Sequence, residues 1–308
     1  MAANSENRSS ETFRLFSSFG GNFNFGFGFY DSPAVPPPPP CVEVLPTEAS
    51  SSVKYTVEPV NLDGLTLLKG RVSTKEVFAL SNSDLVPGKY EGGLKLWEGS
   101  LDLVKALRSE VGNGHLSFTR KRVLELGCGH GLPAIFACRE GAAAVHFQDF
   151  NAEVLKCLTI PNVNANIEKV SQLLKANATD CESGTEVRFF AGDWSEIDKL
   201  LSYARDTNKE TDCSSGNGLD HGYDIVLMAE TVYSTTVLQR LYQLIKKCVR
   251  YPNGVVYMSA KKHYFGVGGG TRQFLSMVEK DGLMAFSMVA EVADGSSNVR
   301  EVWKLSFK

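Results

Sequence analysis

The sequence predicts an α/β fold, with a mostly parallel sheet, helices on both of its faces and one antiparallel strand at the C-terminus. Three observations predict it. From about residue 122 onward, apolar runs of strand length alternate with stretches of helical periodicity, the pattern of a doubly wound parallel sheet. The first of these runs, Val123, Leu124 and Leu126, ends in glycines at every second position, Gly127, Gly129 and Gly131, before a helix-forming segment. Glycine at such a junction lets the backbone turn sharply and approach a ligand that a Cβ would exclude. The helix beyond it points unpaired N–H groups at the turn. Finally, the last two strand-like runs are joined only by Ala293-Asp294-Gly295-Ser296-Ser297-Asn298. That link is too short for a crossover, so the two pair as a hairpin and one runs against the rest.

Taken in order, residues 1–52 differ in composition from the remainder. A Phe/Gly/Asn stretch from Phe16 to Tyr30 is followed by Pro36–Pro40 and Ser50–Ser52. No apolar period runs through it, and the prolines favour extended polyproline II, so it reads as a disordered tail ahead of one domain over 53–308. An organelle transit peptide fits less well. Such peptides are Arg-rich and acid-poor, whereas this tail sets Arg8 and Arg14 against Glu6, Glu11, Asp31, Glu43 and Glu48. After Gly92-Gly93, the recurrence of Trp97, Leu101, Val104 and Leu107 predicts an amphipathic helix. Strands are expected near 122–126, 144–149, 186–190, 223–229, 253–260, 284–290 and 300–307. Helices are expected near 132–139, 151–175, 195–203, 235–249 and 270–280. The polar insertions 176–185 and 204–222 read as surface loops.

Composition narrows the function. The chain of 308 residues is 43% hydrophobic and 22% charged, ordinary for a globular protein. A formal net charge of −3 leaves no global basic field for nucleic acid, and no apolar run approaches the length of a membrane helix. The seven cysteines include no Cys-x-x-Cys pair. With no secretory leader in view, they read as reduced thiols in an intracellular protein, cytoplasmic or nuclear, without structural zinc.

In an open α/β sheet the ligand lies beyond the carboxyl ends of the strands, and this sequence gathers polar residues there. Asp149 closes the second strand about twenty residues past the glycine turn, a distance suited to a carboxylate on ribose hydroxyls; capping the helix at Asn151 is its plainer use. Gly192-Asp193-Trp194 follows the third strand, and there a carboxylate beside an aromatic can hold a purine and its amine. The plainer reading is a core Trp next to a helix cap at Asp193 or Ser195. Ala229-Glu230-Thr231-Val232-Tyr233 follows the fourth, where Glu230 enters the cleft and needs a partner or water. Trp97-Glu98 opens the upstream helix, with Trp97 either its apolar anchor or a cover for the ligand. The last feature is Lys261-Lys262-His263-Tyr264-Phe265-Gly266-Val267-Gly268-Gly269-Gly270. Four glycines in five positions demand unusual backbone or close approach, and the embedded aromatics favour a substrate-facing loop over a spacer.

Together these residues resemble a seven-stranded class I S-adenosylmethionine-dependent methyltransferase with a Rossmann-like sheet. The motifs Lys95-Leu96-Trp97-Glu98, His146-Phe147-Gln148-Asp149-Phe150-Asn151, Pro161-Asn162-Val163-x-Ala165-Asn166, Gly192-x-Trp194-Ser195-Glu196, Glu230-Thr231-x-Tyr233 and His263-Tyr264-Phe265-Gly266-Val267-Gly268-Gly269-Gly270 sharpen it. They resemble the eukaryotic histidine protein methyltransferase family over roughly 55–308, and the last motif is the specific one. Asp193 stands where some members carry Glu.

The resemblance implies methylation of a protein histidine, on a large-subunit ribosomal protein; a monomer is expected, and the charge and hydropathy already described lead us to expect no direct contact with nucleic acid or membrane. It implies cofactor contacts at Trp97, Glu98, Gly127, Gln148, Asp149, Gly192, Asp193, Trp194 and Ala229, and Glu125, Gly129 and Phe150 complete the expected set. Glu230, Tyr233 and Asn162 are the expected catalytic residues: Glu230 or Tyr233 accepts a hydrogen bond from the second ring nitrogen of the substrate, with Asn162 as a contributor. Two rivals share the fold: a lysine methyltransferase and a non-catalytic S-adenosylmethionine-binding assembly factor. A nicotinamide enzyme is disfavoured, because Glu125 precedes the turn and the third glycine falls one position early for Gly-x-Gly-x-x-Gly.

Overall fold

The computed structural model describes residues 37–81, 84–175, 184–206, 222–293, 295 and 298–308. Its central sheet has eight strands in the order β1 (Val42–Val44), β6 (Glu186–Ala191), β5 (Ala144–Asp149), β4 (Arg122–Leu126), β7 (Ile225–Ala229), β8 (Val255–Lys261), β10 (Arg300–Phe307) and β9 (Met284–Val292). The five strands from β6 to β8 pair in parallel, and β10 runs antiparallel between β8 and β9. The expected terminal hairpin is therefore present. From β4 the chain moves one way to β5 and β6, then returns to the other side of β4 for β7 and β8. Strand order reverses between β4 and β7, which places the ligand crevice beyond Leu126 and Ala229.

Period-two alternation divides the apolar residues between two layers. Val123, Ile225 and Leu227 belong to the cluster beneath α2 (Glu98–Gly112) and α3 (Leu132–Arg139). Leu124, Leu126, Val226 and Met228 belong to the cluster beneath α7 (Thr235–Cys248) and α8 (Thr271–Asp281). Both faces are thus covered, as a parallel sheet requires.

Four features depart from expectation. An eighth strand is present: β1 pairs antiparallel with β6 through Val42↔Ala191 and Val44↔Phe189, so the expected tail over 1–52 overlaps the folded sheet at its far end. A separate hairpin joins β2 (Thr56–Leu62) to β3 (Leu65–Arg71) through Asp63-Gly64. Both turn residues have positive φ, 51° and 93°, which suits Asp-Gly. The single helix expected over 151–175 is present as one continuous run, but it carries a π turn (Leu155–Thr159) between α4 (Ala152–Val154) and α5 (Ile160–Lys175). Pro161 has no N–H to give to the carbonyl four residues back, and the π turn absorbs that loss. A short helix α1 (Thr74–Phe78) and α6 (Asp198–Asp206) complete the set. The bulk of the two insertions read as surface loops, 176–183 and 207–221, lies outside the described residues. Among the described residues no helix is long and apolar enough to cross a membrane.

Val44 is 1% exposed in the core against β6. Val44→Ala is expected to lower unfolding free energy by about 1–2 kcal/mol in urea denaturation; an unchanged midpoint would mean that this strand contributes nothing to the sheet.

Candidate active site

The site starts at the carboxyl end of β4. Gly127, Gly129 and Gly131 have φ of 61°, 48° and 70°, all in the left-handed region. Close approach adds a second requirement, since a Cβ on Gly129 would lie 2.9 Å from the carbonyl oxygen of Gly93, and one on Gly127 equally close to Thr231. Gly131 is the N-cap of α3 and has no side chain to cap with. Glu125 supplies that function from the strand, its Oε2 accepting the Ala134 N–H at 2.9 Å. Burial pushes the Glu125 carboxyl well above its ordinary range. Expected on the cofactor, Glu125 is instead the cap of α3.

Two acceptors face the turn from β5. Asp149 Oδ2 accepts the Gly129 N–H at 2.9 Å and Oδ1 the Asn151 N–H at 3.1 Å, so the capping role and the position beside the turn coexist. The residue is 4% exposed, and burial pushes its carboxyl up to about 6 against the pull of those N–H groups. Gln148 Oε1 accepts the indole N–H of Trp194 at 2.9 Å and the Gly127 N–H at 3.3 Å, while its amide donates to the Gly192 carbonyl. Gln148, Gly127, Gly192 and Trp194 therefore form one connected group. Asp193 accepts from Ser195 N–H at 2.9 Å and pairs with Arg240 at 3.4 Å, so its observed work is capping. Phe150 lies half-buried between Asp149 and Asn151.

Across the switch point, Glu230 follows Ala229 with φ of 58°, the left-handed region for a residue with a Cβ. Such strain persists only where the surroundings fix it, and it concentrates at functional sites. The surroundings here are specific. Glu230 N–H donates to the Ser259 carbonyl at 2.8 Å. Its Oε1 accepts the Gly99 N–H in the first turn of α2 at 3.2 Å, and its Oε2 accepts the Tyr264 hydroxyl. The residue is 8% exposed, and burial raises its carboxyl, opposed by the Tyr264 bond and the nearby Lys261 and Arg300.

The remaining expected residues divide. Trp97 is the N-cap residue of α2 and gives its indole N–H to the Gly92 carbonyl at 3.0 Å, which holds the preceding loop. The Glu98 side chain, 65% exposed, pairs with Arg300 at 2.9 Å and so links α2 to β10. Tyr233 gives its hydroxyl to Glu91 Oε2, so it is a donor in an existing pair. Asn162 does not face the cleft group. Its Oδ1 accepts from Tyr55 OH at 2.9 Å and Gly70 N–H at 2.6 Å, and its amide donates to the His130 carbonyl at 3.0 Å. These three bonds fasten the β2–β3 hairpin to α5 and the glycine turn. Glu91, Gly99 and Tyr264 were not expected individually. The signal for Gly99 was its place beside Trp97-Glu98, and for Tyr264 the glycine-rich loop around it.

The sheet order, the reversed β10 and the glycine turn define the class I methyltransferase fold. The chain matches no family model. Among curated proteins it is 35% identical over 229 residues to "Histidine protein methyltransferase 1 homolog" of Dictyostelium discoideum, covering 74% of this chain and 62% of that one. The protein of the same name from Bos taurus is 37% identical over 227 residues, covering 70% and 56%. The one from Mus musculus is 34% identical over 237 residues, covering 74% and 60%. This chain is thus a homologue of the proteins named histidine protein methyltransferase 1, and the match spans about six-tenths of their length. Solved structures with a similar fold include a putative S-adenosylmethionine-dependent methyltransferase from Streptococcus mutans, with 16% identity, a TM-score of 0.46 and coverage of 81% and 55%.

Asn162→Ala would leave the buried N–H of Gly70 without its acceptor. The expected cost is about 1–3 kcal/mol of stability for that group alone, measured by chemical denaturation. A loss of turnover at unchanged stability would return Asn162 to the chemistry.

Proposed function

We propose that this chain is an S-adenosylmethionine-dependent protein-histidine N-methyltransferase whose target is a large-subunit ribosomal protein. The observation that carries the reading is the Glu230 carboxylate, buried and in left-handed backbone at the strand end opposite the glycine turn. The homologues' names support the histidine, and the resemblance of the strand-end motifs to the histidine protein methyltransferase family supports the ribosomal target. The thiols of Cys41, Cys128, Cys138 and Cys157 suit the reducing cytoplasm or nucleus that such a target implies.

The residues present fit the cofactor. The missing Cβ at Gly127 and Gly129 lets Thr231 and the Gly93 carbonyl close on the turn, and the Gly129 N–H holds the Asp149 carboxylate there for an adenosyl ligand. Asp149 accepts the Gly129 and Asn151 N–H groups and has about four acceptor lobes, so it can still take ribose hydroxyls. Trp194, fixed through Gln148, offers a flat apolar face for a purine. When bound, the cofactor supplies an electrophilic methyl group on a sulfonium.

The protein's own work is positioning. A histidine with pKa near ~6.5 is mostly neutral at cellular pH and is already a nucleophile. Glu230, with acceptor lobes beyond those used by Gly99 and Tyr264, accepts the N–H of the second ring nitrogen. That bond selects the tautomer and balances the positive charge the ring gains on alkylation. Correct placement of the reacting atoms can supply roughly 7–11 kcal/mol of the barrier reduction. Phe265, 68% exposed, and Val267 present apolar surface on the loop that carries Tyr264, where a protein segment can rest.

Mass spectrometry of a large-subunit ribosomal protein fraction incubated with the enzyme and cofactor tests the reading. Methylhistidine is expected; methyllysine alone, or cofactor binding without turnover, would support a rival. Glu230→Ala is expected to lower turnover on the protein substrate by about 100-fold with cofactor affinity within about 2-fold, checked by steady-state kinetics and calorimetry. Asp149 gives a pH dependence. Its carboxyl is pushed up to about 6, and hydroxyl donors favour its ionised form, so binding must release a proton below that pH. Cofactor affinity should weaken by about 10-fold per unit below pH 6, and Asp149→Asn should flatten that slope in a calorimetric pH series.

A further inference from the structure

The run His263–Gly270 contains more glycine than a connection of its length needs, and the structure shows where the glycines go. Gly269 N–H donates to the Tyr233 carbonyl at 3.1 Å, and Gly270 N–H to the Val232 carbonyl at 2.8 Å. A Cβ on Gly269 would lie 2.3 Å from the Tyr233 carbonyl, so no other residue allows this approach. Within the loop, Tyr264 N–H donates to the Gly269 carbonyl at 3.0 Å and the Tyr264 carbonyl accepts from Gly268 at 2.9 Å. The loop is thus closed on itself and laid backbone-to-backbone on the segment that begins at Glu230. The side chain these bonds aim inward is Tyr264, whose hydroxyl donates to Glu230 Oε2 and accepts the Lys261 N–H at 3.3 Å.

Resting on the methyltransferase reading above, we propose that Tyr264 is a positioning residue that fixes the Glu230 carboxylate toward the substrate imidazole, and that the glycine run serves to hold it there. Four groups face that carboxylate: the Gly99 N–H from α2, the Tyr264 hydroxyl, and the charges of Lys261 on β8 and Arg300 on β10. The N–H is fixed by a helix and the charges act without direction. With the Gly99 N–H on Oε1, the Tyr264 hydroxyl on Oε2 is the second directional bond that sets the rotation of the carboxylate about its last bond. Without it, Glu230 keeps its place in the chain but not the orientation of its free acceptor lobes.

The test is a double-mutant cycle on the full chain, with turnover measured on a histidine-containing protein substrate. Tyr264→Phe keeps the ring in its packing and removes the hydroxyl. It is expected to lower kcat by about 10- to 100-fold while the substrate KM, the cofactor Kd and the thermal midpoint stay close to wild type. Glu230→Gln should lower kcat at least as far, and the double variant should be no slower than Glu230→Gln alone. Wild-type kcat in Tyr264→Phe, or losses that multiply in the double variant, would overturn the proposal. An inert wild-type enzyme would overturn the methyltransferase reading itself, a result distinguishable from either.

Discussion

The site depends on one constraint: two loops and a strand end must touch at a single backbone turn. Gly129 has room for the Gly93 carbonyl against it only because it lacks a Cβ, and Gly127 admits Thr231 for the same reason. The same Gly129 gives its N–H to Asp149. The loop before α2, the loop after β7 and the end of β5 are therefore registered against one another at the carboxyl edge of the sheet. Sheet topology brings these segments to a common edge, and the glycines set how closely they meet.

A close meeting of this kind buries acids. Glu125, Asp149 and Glu230 all lie below one-tenth exposed, and burial raises each of them. The molecule answers each cost differently. Glu125 takes a backbone N–H that α3 would otherwise leave unpaired, which is a structural use. Asp149 takes two N–H groups and keeps acceptor lobes to spare. Glu230 takes a helix N–H and a phenol, with cations behind them. Three carboxylates at neighbouring strand ends thus hold three different environments, which is why residue type alone does not tell their roles apart.

Much of this arrangement was legible in the sequence because strand ends are legible. Once alternation locates β4 to β8, the residues just beyond them are known, and Asp149, Trp194 and Glu230 follow directly. What escaped lay in irregular chain or short strands. Val42–Val44 is only three residues long after a proline run, and nothing but its pairing with β6 marks it as a strand. The β2–β3 hairpin did leave a signal in Leu62-Asp63-Gly64-Leu65, but its strands mix Glu58, Asn61, Thr66 and Lys69 among the apolar residues and show no clean period. Glu125 was misplaced although the means to place it were present. By period two it shares the side of Val123, whose cluster contains Ile135 and Phe136 of α3. Glu91 could not be found this way, since its partnership with Tyr233 spans 142 residues between two loops.

The same electrostatics bear on which nucleophile suits such a site. An ionised carboxylate close to an amine favours the ammonium form and raises its pKa. A lysine placed against Glu230 would be held protonated, and the group that bound it would also suppress its reactivity. An imidazole is not caught in that way, because the proton given to the carboxylate sits on one nitrogen while the lone pair that reacts is on the other. The acceptor strengthens the ring as a nucleophile without occupying the reacting atom. A buried glutamate fixed by donors rather than opposed by a second base is therefore a better match to a histidine than to a lysine, and this chain has built its glycine loop around such a glutamate.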